Sequence, residues 1–534
     1  MRIENYLRDS AARAPHKTAV VSGERRLDYA AFDTLSDRFG GGLRDIGIKP
    51  GDRVLVVAEN VWQTAVANFG VWKAGGVLVP VNPTTKAPRL AFIARNCQAS
   101  AIVAPGKLAG VLAETISVLE NPLKIVLTAP APHLPRAHNL DVLLHAAPLE
   151  PLPSLSDDDL AMVIYTSGST GQPKGVMMAH ANMDAAAVSI CTYLENSADD
   201  ILLNVLPMAF GYGLFQLLTS VRVGATLVLE KSFAFPAEIV ARLAEERVTG
   251  FAMVPAMVAL LLQMKDVDLS RFASLRYMTN AAAPLPVAHI EKLRELLPHV
   301  RFYSMYGQTE CVRAAYLPPE LLDARPGSVG VAIPGCTLAV VDDAGNELPH
   351  GDTGELVISG PNVMRGYWGN PEATARALKP GPDGRLRLHS GDVFVRGEDG
   401  LFSFVARKDD IIKSRGEKVA PKEVEAVIYT LSGVVEALVV GVPDPVLGEA
   451  VKALVVTSDP AMTERDVIRH CARHLDDYMV PKIVEFRPEL PKTESGKLNR
   501  RLAAGIAAAI FGALGSMQTS GNEEFFWSTM LCLA

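Results

Sequence analysis

The stretch from Tyr165 to Gly175 holds four serine and threonine hydroxyls, three glycines and one lysine within eleven residues. Glycines let successive backbone N–H groups converge on an anion, and the hydroxyls add further hydrogen-bond donors. Lys174 supplies a positive charge close by. This composition predicts a loop that binds a polyphosphate. The residues predicted to contact the phosphates are Thr166, Ser167, Gly168, Ser169, Thr170, Gly171 and Lys174.

The order of residues separates this loop from the P-loop of kinases and ATPases. In the P-loop the lysine follows the last glycine, and a hydroxyl residue follows the lysine. Here Pro173 precedes Lys174, and Gly175 follows it. An ATP-driven phosphotransferase of that type is therefore disfavoured. The apolar run 160–164 predicts a buried strand before the loop, and residues 176–183 predict the start of a helix after it.

Seven further short motifs follow the loop in chain order, namely Leu206–Met208, Tyr306–Glu310, Gly354–Leu356, Ser390–Asp392, Arg407–Asp409, Gly416–Lys418 and Pro491–Lys497. With these motifs the chain resembles the AMP-forming acyl-CoA synthetases of the adenylate-forming superfamily over roughly residues 5–503. The resemblance implies activation of a carboxylic acid by ATP to an acyl-AMP, with release of pyrophosphate. It further implies transfer of the acyl group to the thiol of CoA.

The resemblance assigns nucleotide contacts to the motif that ends at Glu310. It implies that Tyr306 stacks on adenine, that Thr309 contacts the α-phosphate, and that Glu310 helps to hold Mg²⁺. A carboxylate beside a triphosphate requires a divalent cation between them, because like charges repel. The other nucleotide contacts that it implies are Ala282 and the two ribose contacts Asp392 and Arg407.

A second lysine, Lys497, lies near the end of the region of resemblance. The resemblance places it between the substrate carboxylate and the α-phosphate. An anionic nucleophile that approaches a phosphate needs positive charge between the two. The resemblance also implies that the small domain rotates about Asp409 after adenylation, since a few loop residues can absorb such a change. Rotation would withdraw Lys497 and bring Gly416 toward the thiol.

The residues assigned to the acyl pocket differ from common forms of the family. Phe210 stands where a histidine is frequent. The segment Asn280–Pro284 stands where a more glycine-rich segment is frequent, and we expect its additional methyl groups to narrow the deep end of the acyl pocket. No aspartate that could pair with an α-ammonium group is evident in residues 210–216. We therefore expect an uncharged, mainly apolar acid of short to medium length, or an aromatic acid. The residues predicted to line the pocket are Phe210, Tyr212, Asn280 and Ala281.

Two alternative functions stay open. The acceptor thiol could be the phosphopantetheine of an acyl carrier protein, although the large-domain insertion usual in fatty-acyl-AMP ligases is not evident, and CoA is favoured. The chain could also be a catalytically silent acyl- or nucleotide-binding sensor. A sensor has no need of an adenylation lysine, so the presence of Lys497 beside Lys174, Glu310 and Asp392 argues against it.

The pattern of elements predicts an α/β fold that could position these residues. From about residue 19 to 304, apolar runs alternate with helix-like segments, which predicts two parallel sheets flanked by helices. Residues 325–404 read as an antiparallel, barrel-like β region. The predicted domains are a large AMP-binding domain (1–407), a small mobile α+β C-terminal domain (408–504) and an atypical apolar tail (505–534).

Composition excludes several classes of protein. A net charge of −7 without a basic run argues against a nucleic-acid partner. The six cysteines are scattered, which fits neither a zinc site nor a disulfide framework and indicates a reducing compartment. The N-terminus shows no apolar targeting segment, so we expect a cytoplasmic protein. The apolar run 502–517 is too short to span a bilayer, and membrane contact through the tail is the less favoured alternative.

Overall fold

The computed structural model describes residues 1–57, 59–131, 134, 136–167, 173–264, 268–414, 417–444, 448–475, 477–492, 498–500 and 502–504. Several predicted site residues lie outside this part of the chain, namely Gly168, Ser169, Thr170, Gly171, Gly416 and Lys497. The side chains of Ser167 and Asp409 and the tail 505–534 also lie outside it.

The chain forms two compact units. The large unit comprises Met1–Ser390 and Phe394–Phe404, and the small unit comprises Gly391–Val393 and Val405–Ala534. The α/β fold class is confirmed by the sheets described below. The domain boundaries given above stay a prediction.

A nine-stranded sheet forms one layer of the large unit. Its six central strands are parallel, and antiparallel strands complete both edges. Strands such as Gly250–Met253 are buried along their whole length, as expected where helices cover both faces. In spatial order the strands are Val331–Ala332, Ala315–Tyr316, Arg301–Tyr306, Tyr277–Asn280, Gly250–Met253, Ile201–Asn204, Thr226–Leu229, Thr18–Ser22 and Arg25–Asp28.

An eight-stranded sheet forms a second layer. Six of its strands are parallel, and an antiparallel hairpin with one further strand closes one edge. The two parallel sheets predicted from the alternating pattern are therefore present. In spatial order the strands are Gly366–Tyr367, Pro173–Ala179, Leu160–Ser167, Val77–Val81, Arg53–Val57, Ala101–Ala104, Lys124–Leu127 and His138–Asn139.

The predicted β-rich region contains a five-stranded sheet, and the small unit contains another. The first is formed by Thr337–Val341, Thr353–Ser359, Leu386–Arg396 and Leu378–Pro380, with Phe402–Arg407 paired to Leu386–Arg396. The second is formed by Glu417–Val419, Ile412–Ser414, Gly448–Thr457 and Val434–Asp444, with Ile483–Phe486 paired to Gly448–Thr457.

The helices cover the sheets with apolar faces. Trp72 and Phe69 on one helix and Phe32 on the preceding helix are fully buried, and Phe69 meets both other rings edge-on at 5.3 Å. The α-helices are Glu4–Arg13, Tyr29–Asp45, Trp62–Lys73, Ala87–Asn96, Ala109–Ser117, Leu140–Leu143, His180–Leu194, Gly211–Val223, Pro236–Glu245, Pro255–Gln263, Val287–Leu296, Pro371–Ala377, Pro421–Tyr429 and Glu464–His474. Short 3-10 helices span Gly106–Leu108, Leu269–Phe272, Pro319–Leu321 and Lys408–Asp410.

One local prediction was wrong. The phosphate loop is followed by the strand Pro173–Ala179, and the helix begins only at His180. The strand pairs antiparallel with Leu160–Ser167, so the loop joins the two arms of a hairpin. Val176, Met178 and Ala179 are buried in this strand, and an apolar run this short does not distinguish a strand from a helix.

Candidate active site

The hairpin fixes the two ends of the predicted phosphate loop. Thr166 pairs with Lys174, and Ser167 pairs with Pro173 across the antiparallel ladder. Thr166 and Ser167 end the strand Leu160–Ser167, at the carboxyl edge of the eight-stranded sheet, and Pro173 and Lys174 begin the next strand there. Ligands of open α/β sheets bind at this edge. The hairpin therefore presents Lys174 and the hydroxyl of Thr166 where a phosphate chain can approach.

Tyr367 connects Lys174 to Glu310, which lies 136 residues further along the chain. The Lys174 ammonium lies over the Tyr367 ring, with Nζ 5.3 Å from the ring centroid. The Tyr367 hydroxyl donates a hydrogen bond to Glu310 Oε1 at 2.8 Å. Tyr367 is itself buried. The structure thus brings together a cation and a carboxylate that the sequence analysis assigned to one phosphate site.

Backbone hydrogen bonds hold Tyr367 in this place. Tyr367 pairs with Val176 in the antiparallel edge of the sheet, and the Trp368 N–H donates to Gly175 O at 2.7 Å. On the other side, the Met364 N–H donates to Glu310 O at 2.8 Å. The segment from Met364 to Trp368 therefore ties the hairpin to the turn that carries Glu310.

Tyr306 ends the strand Arg301–Tyr306, again at a carboxyl edge of a parallel sheet. Its ring meets that of Phe394 edge-on at 4.8 Å. Gln308 Nε2 donates to the Tyr306 hydroxyl at 3.2 Å and to Ser390 O at 3.3 Å. Tyr306, Thr309 and Glu310 are all half-buried, so a ligand can reach each of them.

The predicted ribose contacts form an ion pair with each other in the small unit. Arg407 Nε donates to Asp392 Oδ1 at 2.6 Å. Asp392 is only 4% exposed, whereas Arg407 is exposed. The guanidinium thus fixes the orientation of the carboxylate.

The predicted acyl-pocket residues lie on a strand and on the start of a helix. Phe210 immediately precedes the helix Gly211–Val223, and Tyr212 lies in its first turn. The hydroxyls of Tyr212 and Thr279 are 2.6 Å apart. Burial raises the pKa of Tyr212 to about 12, so it stays a neutral phenol at pH 7.

Two residues that follow Thr279 show signs of a binding site. The Asn280 amide donates to Ala283 O at 3.1 Å, but its Oδ1 is buried without a hydrogen-bond partner among the described residues. Ala282 has a φ of +76°, in the left-handed region that residues with a side chain rarely adopt. Unsatisfied polar groups and backbone strain of this kind concentrate at ligand sites. Ala281, between them, is buried.

The sequence analysis missed two residues. No local sequence feature marks Tyr367 as a site residue, because its position depends on strand pairing with a distant hairpin. Arg313 is 4% exposed and its guanidinium carbon lies 5.0 Å from the centroid of the Tyr212 ring. The sequence feature that could have pointed to Arg313 is that it is the one charged residue in the otherwise apolar run Cys311–Tyr316.

Within the described part of the chain, no three His, Cys, Asp or Glu side chains are clustered so as to hold a metal ion by themselves. Glu310 is thus a single carboxylate that could contribute one oxygen ligand.

In the described part of the chain, every helix is too short or too polar to span a lipid bilayer.

The chain is similar in sequence to known proteins over most of its length. Residues 7–368 match the family model described as AMP-binding enzyme, and residues 423–497 match its C-terminal domain. The feruloyl-CoA synthase of Amycolatopsis sp is 35% identical over 497 residues, which cover 91% of this chain and 95% of the relative. The long-chain-fatty-acid–CoA ligase of Escherichia coli O6:H1 is 33% identical over 526 residues, 92% of each chain.

Solved structures are also similar. The benzoate CoA ligase from Burkholderia xenovorans LB400 superposes with a TM-score of 0.86 at 26% identity, covering 94% of this chain and 100% of that one. ATP-bound MatB from Rhodopseudomonas palustris gives a TM-score of 0.87 at 27% identity, covering 96% of this chain and 100% of that one.

Proposed function

The chain belongs to the AMP-binding enzyme family and is an AMP-forming ligase of acids with CoA, and from this premise we propose which residues carry the reaction. It activates a carboxylic acid to an acyl-AMP and forms the CoA thioester. The residues proposed to contact ATP are Thr166, Ser167, Gly168, Ser169, Thr170, Gly171, Lys174, Ala282, Tyr306, Asp392 and Arg407.

The observation that carries this proposal is the link from Lys174 through Tyr367 to Glu310. A triphosphate at the hairpin would meet the Lys174 ammonium directly, which offsets its negative charge. Thr309 and Glu310 supply a hydroxyl and a carboxylate, which are the hard oxygen donors that Mg²⁺ prefers. One carboxylate suffices, because Mg²⁺ keeps several waters and shares ligands with substrate phosphates. When bound there, Mg²⁺ would neutralise charge on those phosphates.

In the first half-reaction an oxygen of the substrate carboxylate attacks the α-phosphorus of ATP, and pyrophosphate leaves. Lys497 is proposed to stand between the two anionic reactants, with Thr309 at the α-phosphate. These groups act by positioning and by charge stabilisation, and no covalent enzyme intermediate is needed.

In the second half-reaction the CoA sulfur attacks the acyl carbon, and AMP leaves. Asp409 is proposed as the hinge about which the small domain turns between the two steps, and Gly416 as the residue beside the incoming thiol. The backbone of Asp409 lies in the short 3-10 helix Lys408–Asp410, at the end of a strand, where a few residues can absorb a rotation.

The acid is proposed to be of short to medium length or aromatic, without an α-ammonium group. Phe210, Tyr212, Asn280 and Ala281 are the proposed pocket residues. The methyl groups of Ala281 and Ala282 take space that glycines would leave open, which argues for a shallow pocket. A cytoplasmic location is part of the proposal, because the five described cysteines are unpaired, as in a reducing compartment.

Product analysis tests the function. Incubation with ATP, Mg²⁺, CoA and a mixture of acids should release AMP and pyrophosphate and yield an acyl-CoA. Release of ADP would contradict the proposal, and binding without turnover would favour a sensor. Acyl-AMP without thioester would point to a carrier protein as the acceptor.

Lys497→Ala separates the two half-reactions. We expect it to lower ATP–pyrophosphate exchange by roughly 100-fold or more, since positive charge at the attacked phosphorus is lost. Transfer to CoA from supplied acyl-AMP should persist. The matched control is Lys482→Ala, which removes an exposed lysine whose Nζ is 2.6 Å from Asp444 and which should leave both half-reactions unchanged. Equal loss in both half-reactions would overturn the assignment of Lys497.

A further inference from the structure

Arg313 is a buried charge without a carboxylate partner among the described residues. Only 4% of the residue is exposed, and no described Asp or Glu lies within ion-pair distance of its guanidinium. Its Nε–H also lacks an acceptor in that part of the chain. Arginine cannot release its proton in a protein, so the charge persists. A charge buried without a counter-charge is strongly unfavourable.

Arg276 is a more exposed guanidinium of the same chain, with 29% of its side chain accessible, and it also lies against a tyrosine ring. Its guanidinium carbon lies 4.9 Å from the Tyr277 ring centroid, much as Arg313 lies 5.0 Å from that of Tyr212. Arg276, however, donates to both carboxylate oxygens of Asp200, at 3.1 and 2.9 Å. Burial opposes ionisation of Asp200, but its hydrogen bonds outweigh this and lower its pKa. Arg313 has the aromatic ring, but among the described residues it has no carboxylate partner.

The surroundings of Arg313 belong to the proposed acyl pocket. Its charge lies against Tyr212, whose hydroxyl is bonded to Thr279, and near the hydroxyl of Tyr193. Phenol rings and hydroxyls can orient a guanidinium, but they do not neutralise it. The backbone is fixed as well, because Asn362 Nδ2 donates to Arg313 O at 2.7 Å. Ring, hydroxyls and backbone contact thus surround Arg313, and no described carboxylate offsets its charge.

We propose that Arg313 binds a second carboxylate of the acid substrate, one that does not react with ATP. This proposal rests on the proposed function. It changes the expected substrate from an acid without further charge to an acid with a second carboxylate. The proposed function assigns the reacting carboxylate to Lys497 and Thr309, so a separate anion would supply the charge that Arg313 lacks among the described residues. A carboxylate suits the planar guanidinium, which can donate two parallel hydrogen bonds to it. Arg313 is then a specificity-determining residue.

Matched acids test the proposal by ATP–pyrophosphate exchange. The pairs are hexanoate with adipate and benzoate with terephthalate, which differ mainly in the second carboxylate. We expect the wild-type protein to prefer the diacid of at least one pair in kcat/KM by roughly 10- to 100-fold, the range for a hydrogen bond to a charged group. Arg313→Met should abolish that preference through a higher KM for the diacid. Arg313→Lys should retain part of it.

Thermal unfolding supplies a second readout that does not depend on activity. Arg313→Met removes an uncompensated charge and should leave the melting temperature unchanged or raise it. Arg276→Met is the matched control and should lower it, because Asp200 stays buried without its partner. Adipate or terephthalate should also raise the melting temperature of the wild-type protein more than that of Arg313→Met.

The outcomes separate the two proposals. Equal use of monoacid and diacid, or the same loss with both acids in Arg313→Met, would overturn the role of Arg313 while leaving the ligase function intact. A fall in the melting temperature of Arg313→Met as large as that of Arg276→Met would also overturn the role of Arg313. Absence of exchange with every acid tested would count against the proposed function itself, and the role of Arg313 would fall with it.

Discussion

Tyr367 and Glu310 are joined by a hydrogen bond of 2.8 Å from the tyrosine hydroxyl to Oε1. The same tyrosine ring lies beneath the Lys174 ammonium. One buried side chain therefore sets the positions of two groups of opposite charge, which come from separate parts of the chain. Tyr367 is therefore proposed as a positioning residue, which acts through the placement of the Lys174 ammonium and the Glu310 carboxylate.

Tyr367→Phe tests this relationship. The variant keeps the ring under Lys174 and loses the hydroxyl that orients Glu310. We expect kcat to fall about 10-fold, consistent with one hydrogen bond to a carboxylate, and the Mg²⁺ concentration for half-maximal rate to rise. Mg²⁺ titration of ATP–pyrophosphate exchange measures both. Tyr316→Phe, at a tyrosine stacked on Tyr193, is the control; an equal effect there would show that the loss is not specific.

Asp392→Asn tests the proposed ribose contact. The amide keeps the shape of the carboxylate but accepts hydrogen bonds less strongly, and it loses the ion pair with Arg407. We expect KM for ATP to rise roughly 10- to 100-fold with a smaller change in KM for the acid. Steady-state kinetics with each substrate varied in turn provides the measurement. Asp268→Asn, at an exposed aspartate, should leave both values unchanged.

Gly307→Ala tests the fit of the turn between Tyr306 and Arg313. A Cβ at Gly307 would lie 2.6 Å from Val312 O and 2.8 Å from Arg313 Cα, so the backbone must shift. We expect a loss of stability of about 1–3 kcal/mol, typical of overpacking, together with a raised KM for the acid. Gly110 lies in a helix, and a Cβ there would meet open space, so Gly110→Ala should instead increase the free energy of unfolding by up to about 1 kcal/mol. A Gly307→Ala protein with wild-type kinetics and stability would contradict this.

His180 should make stability depend on pH. Burial lowers its pKa to about 4, and its Nδ1 accepts a hydrogen bond from the Ile3 N–H at 3.1 Å. The unfolded chain takes up a proton near pH 6.5 and the folded chain only near pH 4. The contribution of His180 is therefore complete above pH 6.5 and is lost as the pH falls through this window, by up to about 3 kcal/mol.

Urea unfolding at pH 4 to 8, followed by the fluorescence of buried Trp72, measures this change. Glu4 opposes it at the acidic end, because burial raises the pKa of that carboxyl. His180→Asn can still accept the Ile3 hydrogen bond and should flatten the slope between pH 6.5 and 4. An unchanged slope in that variant would assign the pH dependence to other groups.

The sequence and the tertiary structure contributed different parts of the site. Local composition predicts a phosphate-binding loop, because glycines, hydroxyls and a lysine can act together within a few residues, and this assignment stays a prediction. The alternation of apolar runs also predicted two parallel sheets, since buried strands need apolar residues on both faces. The strand Pro173–Ala179 was mistaken for the start of a helix, because a short apolar run has no decisive period.

The sequence by itself thus determined the chemical class, since that property resides in side-chain types and short spacings, and the assignment of individual residues to the reaction stays a prediction. Only the tertiary structure decided that Tyr367 joins Lys174 to Glu310, and that Arg313 is buried against Tyr212 without a described carboxylate. These relationships depend on the register between strands far apart in the chain. Local sequence does not encode that register, because it is selected by the packing of the whole core.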